Sequence, residues 1–193
     1  VNINATFTED NSTKNALHIA VENNDIKIVK LLLKQPKLDV NIQLIKNTRV
    51  TTPENENQNS NYNPYYNQNQ PTSTNTHFTS LEKTALHIAI ENKYIEIIKL
   101  LLKHPRIDVN IISKQTDGTE DYNINNKCTI TKTKNIEKSS LQIAIENNSS
   151  EIIDLLLSHP NIDVNVLFKD YSKDSTKFNN VNINYQNINN EMT

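Results

Sequence analysis

The stretch that decides the fold reads KTALHIAIEN at residues 83–92, followed after two residues by IEIIKLLLKHPRIDVN at residues 95–110. Related copies begin at Lys14 and Lys138, and the three copies align without a gap. The spacing between the copies is unequal, so the insertions must lie between the repeating units and not inside them. The sequence therefore predicts three similar structural units joined by connections of different length.

Each unit is predicted to form two short helices. Residues 85–91 are apolar around most of the helix circumference, as expected for a helix buried between neighbours. Residues 95–103 carry apolar side chains on one face and charged side chains on the other. Pro105, like Pro36 and Pro160 in the other copies, stops the second helix. Helices this short are not stable alone, so each unit must bury its apolar face against the next.

The junction between the two helices of each unit carries turn and capping residues. Asn24 and Asn148 stand in the tight turn, where Asn tolerates a left-handed backbone, and Lys93 stands there in the middle unit. Asp25 and Ser149 come directly before the second helix. Their side chains are predicted to accept a hydrogen bond from its first free N–H groups.

This pattern resembles the ankyrin repeat, whose first helix carries the signature T-P-L-H-x-A. Residues 84–89 match it with Ala in place of Pro, residues 15–20 match less well at their start, and residues 139–144 lose both the Thr and the His. A Pro-containing turn also stands where the family usually has Gly. The resemblance implies an all-α fold, an ankyrin-repeat solenoid of three helix-turn-helix units with extended or disordered finger loops.

The chain divides on this basis into repeats and insertions. The first repeat covers residues 13–42, the second residues 82–112, and the third, which is degenerate, residues 137–166. The ends repeat parts of a unit: Val1-Asn2-Ile3 is similar to Val40-Asn41-Ile42, and Glu191-Met192-Thr193 to Glu82-Lys83-Thr84. We therefore expect residues 1–3 to be the tail of a preceding repeat and residues 191–193 the start of a following one. The chain would then be a segment of a longer array whose terminal faces expose apolar surface.

The three insertions differ in composition. Residues 43–81 are rich in Asn, Gln and Tyr and carry no charged residue from position 57 onward, which is typical of a disordered, low-complexity loop. An aromatic-tipped binding loop is the alternative. Residues 113–136 contain the Asp117-Gly118 turn signal and an alternating, β-branched run from Cys128, which together predict a β-hairpin. Residues 167–190 form a further Asn-rich insertion, and we interpret it as another finger.

Composition excludes several classes of function. The formal net charge of −2 over 193 residues argues against a nucleic-acid binder, which normally presents a basic face. No apolar run is long enough for a membrane span. One Gly, Gly118, is too few for a phosphate-binding loop or a dinucleotide site, so we expect no cofactor. One Cys, Cys128, excludes a multi-cysteine zinc site and fits a reducing, intracellular setting, which we expect to be the cytoplasm.

The candidate site residues recur at equivalent positions. His18 and His87 could be catalytic or metal-ligating, but the resemblance implies that they hold the turn before the first helix, together with Thr84. Asp39, Asp108 and Asp163 also recur, and a turn-stabilising role is the simplest interpretation. Two further sets recur, one basic and one acidic. In an ankyrin stack they would line the concave surface as two rows. They would act there either as a partner-binding surface or as solvated ion pairs. These sets are Lys14, Lys83 and Lys138, and Glu22, Glu91 and Glu146.

The resulting functional prediction is a non-enzymatic scaffold that binds a protein partner through finger loops and the concave surface of the first helices. Neighbouring repeats of the same parent chain would be further partners. The alternative is a regulatory or substrate-docking array of a larger enzyme, such as a kinase, whose catalytic domain lies outside these residues. Self-association through the uncharged Asn/Gln/Tyr loop is a third hypothesis. Within the scaffold, Gln142 and Ser150 replace His and Ile of the other copies, which predicts that the third repeat is the least stable.

Overall fold

A computed structural model describes residues 2–54, 73–123, 128–166, 168–178 and 181–183. In this part of the chain the structure has six helices and eight strands. The helices are α1 (Ala16–Glu22), α2 (Ile26–Leu33), α3 (Ala85–Glu91), α4 (Ile95–Leu102), α5 (Ser140–Glu146) and α6 (Ser150–Leu157). The strands are β1 (Thr6–Glu9), β2 (Ser12–Asn15), β3 (Gln43–Glu54), β4 (Ser73–Thr84), β5 (Ser113–Asn123), β6 (Cys128–Lys138), β7 (Lys169–Phe178) and β8 (Val181–Ile183).

The predicted all-α fold is wrong, because strands account for more of the described residues than helices do. The strands follow one another in a sheet in the order β1 to β8, and the pairs β1–β2, β2–β3 and β7–β8 are antiparallel. Strands β3 and β4 are long and polar, so hydrophobic patterning did not indicate them, whereas the alternating run from Cys128 did indicate β6. Cross-strand hydroxyl pairs occur instead: Thr48 with Thr79 at 2.6 Å and Thr51 with Thr76 at 2.9 Å between their Oγ1 atoms.

All six helices belong to one compact unit, which comprises residues 1–47, 80–115 and 136–169. The first helices of successive repeats pack on one another, α1 on α3 and α3 on α5, and the second helices pack in the same way, α2 on α4 and α4 on α6. The core between them is aliphatic and includes the fully buried Val21, Ile90, Ile98, Leu101 and Ile152. The helices therefore gain their stability from their neighbours, as their length requires.

The second compact unit comprises residues 48–79, 116–135 and 170–193. Its described residues belong to β3 to β8, and Arg49 of β3 forms an ion pair with Glu120 of β5. Asp117 and Gly118 were predicted to form a turn, but they lie inside β5. The Phe78 ring packs against Gly118, and a Cβ at that position would overlap the ring. Close approach of an aromatic side chain, and not a turn, is what requires glycine here.

The helix junctions follow the predicted chemistry with one exception. Asn24, Lys93 and Asn148 have φ values of 53°, 57° and 50°, which confirms the left-handed turn in every repeat. Asp25 Oδ1 accepts a hydrogen bond from the Ile28 N–H at 2.9 Å and caps α2. Ser149 makes no side-chain capping bond to α6, so that prediction is wrong.

The ends of the insertions are strands. Within residues 43–81, the structure describes β3 and residues 73–81 of β4. The Asn/Gln/Tyr tract at 55–72 lies outside the described residues. The disordered-loop, binding-loop and self-association hypotheses all depend on that tract. Residues 113–136 contain most of β5 and β6, which are neighbours in the sheet. Residues 167–190 contain β7 and β8, and residues 191–193 lie outside the described part.

Hydrogen bonds correct the alignment of the N-terminal residues. Asn41 and Asn110 each donate their own backbone N–H to the side chain of an Asp two residues earlier, at 2.9 Å in both cases. The Asn4 N–H makes the same contact with Asn2 Oδ1, at 3.1 Å. The residues equivalent to Asp39-Val40-Asn41 are therefore 2–4, which is a shift from the predicted match of Val1-Asn2-Ile3 with Val40-Asn41-Ile42.

Candidate functional site

The two repeated histidines lie in the caps of the first helices. His87 Nδ1 accepts a hydrogen bond from the Thr84 N–H at 3.1 Å and lies 2.8 Å from Thr84 Oγ1. In the first repeat His18 Nδ1 accepts from the Asn15 N–H at 3.3 Å, and Asn15 Oδ1 accepts from the His18 N–H at 3.0 Å. Each pair forms a reciprocal capping box, so the imidazoles occupy a structural position at the start of α1 and α3.

Burial controls the protonation of these imidazoles. Desolvation lowers the pKa of His87 to about 4, although the nearby Ile111 carbonyl acts in the opposite direction. The pKa of His18 is also lowered by burial, with the Ile42 carbonyl and Glu22 opposing the shift. Both side chains are only 1% exposed. Both imidazoles are therefore neutral at physiological pH, with Nδ1 serving as the acceptor in the cap.

The basic and acidic sets form ion pairs with each other, one pair in each repeat. Lys14 Nζ lies 2.6 Å from Glu22, Lys83 Nζ lies 2.7 Å from Glu91, and Lys138 Nζ lies 2.5 Å from Glu146. The Lys precedes the first helix of its repeat and the Glu ends it, so each pair runs along a helix from one end to the other. We call these three pairs the ion-pair row.

The ion-pair row is accessible to solvent without being fully exposed. Its side chains are 20–29% exposed for the lysines and 33–43% exposed for the glutamates. Each of these charges has a partner within its own repeat. The six residues thus present three oriented dipoles at matching positions, and not separate strips of free positive and negative charge.

A hollow of about 140 Å³ lies beside the second and third pairs. Ser113, which lines the hollow, stands five residues after Asp108, as Leu44 stands five residues after Asp39 in the preceding connection. Both Ser113 and Leu44 are 5% exposed, and serine is much the smaller side chain. The lining residues are Lys83, Glu91, Ser113, Lys114, Gln115, Ile136, Lys138, Ile143, Glu146 and Asn147.

Asparagine bridges between successive repeats are a feature that sequence reasoning missed. Asn41 Nδ2 donates to the Arg106 carbonyl at 2.8 Å, and its Oδ1 accepts from the Asp108 N–H at 3.0 Å. Asn110 makes the same two contacts with Asn161 and Asp163, at 2.7 and 2.9 Å. The recurrence of Asn after Asp-Val was the available signal. Only the Asp was interpreted, and its turn-stabilising contacts are confirmed.

Metal-binding clusters and membrane-spanning helices are both absent from the described residues. No group of three or more His, Cys, Asp or Glu side chains in that part of the chain is arranged to hold a metal ion. None of the helices there has both the length and the apolar character needed to cross a membrane. The two buried histidines, in particular, are held in the helix caps of different repeats.

Comparison with known families agrees with the repeat geometry. A family model for ankyrin repeats in three copies matches residues 67–168, which is more than half of the chain, and a single-repeat ankyrin model matches residues 14–44. A search of curated proteins found no match. Because the matched regions contain the capping boxes, the paired helices and the ion-pair row, the chain belongs to the ankyrin repeat family, whose repeats are protein–protein interaction modules.

Proposed function

We propose that this protein is a non-enzymatic binding module and that a protein partner docks on the ion-pair row and the strand connections beside it. The observation that carries the proposal is the recurrence of one Lys–Glu pair, with the same orientation, at the same place in all three repeats. Packed helices hold the three pairs at fixed spacing, so a partner can bind without ordering them first.

The charges themselves also favour a protein partner. Each pair places a positive and a negative group side by side, which matches a surface of alternating charge and does not match a polyanion. Complementary charges of this kind contribute more to specificity and to the association rate than to affinity. The hollow beside Lys83 and Lys138 offers a recess into which a side chain of the partner can insert.

Reversal of the pairs tests the proposal. The variant K83E/E91K/K138E/E146K keeps both intramolecular ion pairs but inverts their direction. Since partly exposed pairs contribute at most about 1 kcal/mol each to folding, we expect little change in stability. We expect the affinity for a partner isolated with the wild-type protein to fall at least about tenfold, because like charges then face each other.

A matched control exists on the second helices. Lys30 pairs with Glu96 at 3.3 Å and Lys99 with Glu151 at 2.9 Å, outside the ion-pair row. The variant K30E/E96K/K99E/E151K reverses the same number of charges and should leave the affinity unchanged. Equal losses in both variants, or a loss only in the control, would place the contact elsewhere.

A further inference from the structure

The hollow beside the second and third pairs lies within the compact unit that holds the helices. The strands β4, β5 and β6 supply its lysines, and the helices α3 and α5 supply its glutamates. Its volume of about 140 Å³ is close to that of a cavity that holds one benzene molecule. The hollow therefore has room for one side chain of a partner.

Every charged side chain that lines the hollow already has an ionic partner. Two pairs of the ion-pair row supply four of these charges, and Lys114 pairs at 3.5 Å with Glu82, which is not part of the lining. A single charge brought in by a partner would lose its hydration without meeting an unpaired counter-charge. The hollow thus disfavours acidic and basic side chains alike.

Each ion pair of the hollow presents a donor and an acceptor next to each other. Lys83 Nζ lies 2.7 Å from Glu91, and Lys138 Nζ lies 2.5 Å from Glu146. An ammonium group has three N–H donors and a carboxylate has about four acceptor sites, so both groups can make further hydrogen bonds. A ligand that accepts and donates at neighbouring atoms can therefore bridge the two halves of a pair.

A primary carboxamide has this arrangement, because its oxygen and its NH₂ group share one carbon atom. Arg and Lys side chains only donate, and ionised Asp and Glu side chains only accept. A trans peptide group does not fit, since its C=O and N–H point in opposite directions. Of the two carboxamide side chains Gln is the longer, and its methylene groups can contact Ile136 and Ile143 in the hollow.

We propose that the hollow is the anchor site for a glutamine side chain of the protein partner. The carboxamide oxygen accepts a hydrogen bond from Lys138 Nζ, and the NH₂ group donates to the Glu146 carboxylate. The methylene groups lie on Ile136 and Ile143. This anchor rests on the proposed function, because docking on the ion-pair row is what brings the glutamine to the hollow.

NMR titration of the full chain with N-acetyl-glutamine N-methylamide tests the anchor. The blocked ends of this compound carry neither a charge nor a second primary carboxamide. We expect saturable shifts of the Ser113 backbone amide and of the Asn147 side-chain amide, since both residues line the hollow. The Glu, Lys and Leu compounds of the same design should bind at least about fivefold more weakly, because they leave a donor or an acceptor unmatched. Equal binding of any of these three, or no shift with the Gln compound, would overturn the proposal.

Variants show whether the compound occupies the hollow. S113L should abolish binding by filling the space, and Leu44 at the equivalent position indicates that the fold accepts leucine there. K138M/E146M removes the ion pair, leaves Ser113 in place and should also abolish binding. The control K99M/E151M removes a pair between second helices and should bind as the wild type does. Binding that survives K138M/E146M would contradict the carboxamide contact.

The variant K83E/E91K/K138E/E146K separates the glutamine anchor from partner docking as a whole. A carboxamide that is turned over meets the reversed pairs with its oxygen and NH₂ group exchanged, so the Gln compound should bind this variant with similar affinity. Docking of the partner, by contrast, is expected to weaken. Loss of the Gln compound in this variant would overturn the anchor, whereas unchanged affinity for the partner would count against the docking surface.

Discussion

Nδ1 of His87 lies 2.8 Å from Oγ1 of Thr84 and accepts a hydrogen bond from the Thr84 N–H, so one buried imidazole closes the cap of α3. Asn15 and His18 repeat this arrangement in α1. In α5 only half of it is present, since the Gln142 N–H donates to Ser139 Oγ at 3.2 Å without a return contact from Gln142 to the backbone of Ser139.

The buried imidazoles predict that acid destabilises the protein. His87 has a pKa of about 4 in the folded state and the ordinary value of 6.5 when unfolded, so between these values the unfolded state binds more protons. The free energy of unfolding should therefore be highest above pH 6.5 and fall toward pH 4, with His87 accounting for about 3 kcal/mol. The lowered pKa of His18 acts in the same direction. Urea titrations at several pH values measure this.

The variant H87Q serves as the comparison, because the third repeat carries Gln142 at that position. Its free energy of unfolding at pH 7 should be about 1 kcal/mol lower than that of the wild type, because the cap is broken. That free energy should also depend less on pH than in the wild type. Titration of the His87 ring by NMR gives a direct check. A midpoint near 6.5 in the folded protein would refute the assignment of burial as the cause.

The second-helix caps predict unequal costs for two similar truncations. D25A removes the acceptor for the Ile28 N–H and should destabilise the protein by about 1 kcal/mol. S149A removes a side chain that makes no capping bond and should change the free energy of unfolding by a few tenths of a kcal/mol at most. Denaturant unfolding of both variants tests the difference, and equal costs would argue against the cap at Asp25.

The contact between Gly118 and Phe78 predicts a clash on adding one methyl group. G118A should lower the free energy of unfolding by about 1–3 kcal/mol, because the Phe78 ring occupies the space that the Cβ needs. In the background F78A the same substitution should cost much less, since the ring is gone. A double-mutant cycle with thermal unfolding measures this coupling. A G118A cost that is the same in both backgrounds would show that the ring is not the obstacle.

The third repeat is predicted to open most readily. Ile145 is 57% exposed where Ile90 is 0% exposed, and Ser150 replaces the Ile found in the other two second helices. Less buried apolar surface means a smaller free energy of local opening. Hydrogen exchange should therefore show faster exchange for α5 and α6 than for α3 and α4. Equal protection of the second and third repeats would be inconsistent with this order.

The helix pairs and their turns could be predicted from the sequence because they depend on local signals. Apolar periodicity, Asn24 and Asn148 in the left-handed turn, and Asp25 before α2 are visible in a single repeat. Strands β3 and β4 could not be predicted in this way, because they are polar and are paired through threonines far apart in sequence, such as Thr51 and Thr76. The alternating, β-branched run of β6 was visible in the sequence and did indicate a strand.

The candidate site was predicted only in part. Lys83 and Glu91 were recognised as members of two recurring sets, with ion pairs as one interpretation, but their spacing along the chain did not show that the pair spans the whole of α3. The role of Asn41 also depends on its contacts with Arg106 and Asp108, more than sixty residues away. Contacts between repeats are set by packing, which a single repeat does not encode.

Site-specific photo-cross-linking tests the central claim most directly. A photoreactive amino acid at Gln142, whose side chain lies 3.5 Å from Glu146, reports on the ion-pair row, and one at Ser158, directly after α6, is the control on the second-helix side. We predict a protein adduct from position 142 and none of that adduct from position 158. An adduct formed at position 158 while position 142 remains silent would contradict the proposed binding surface.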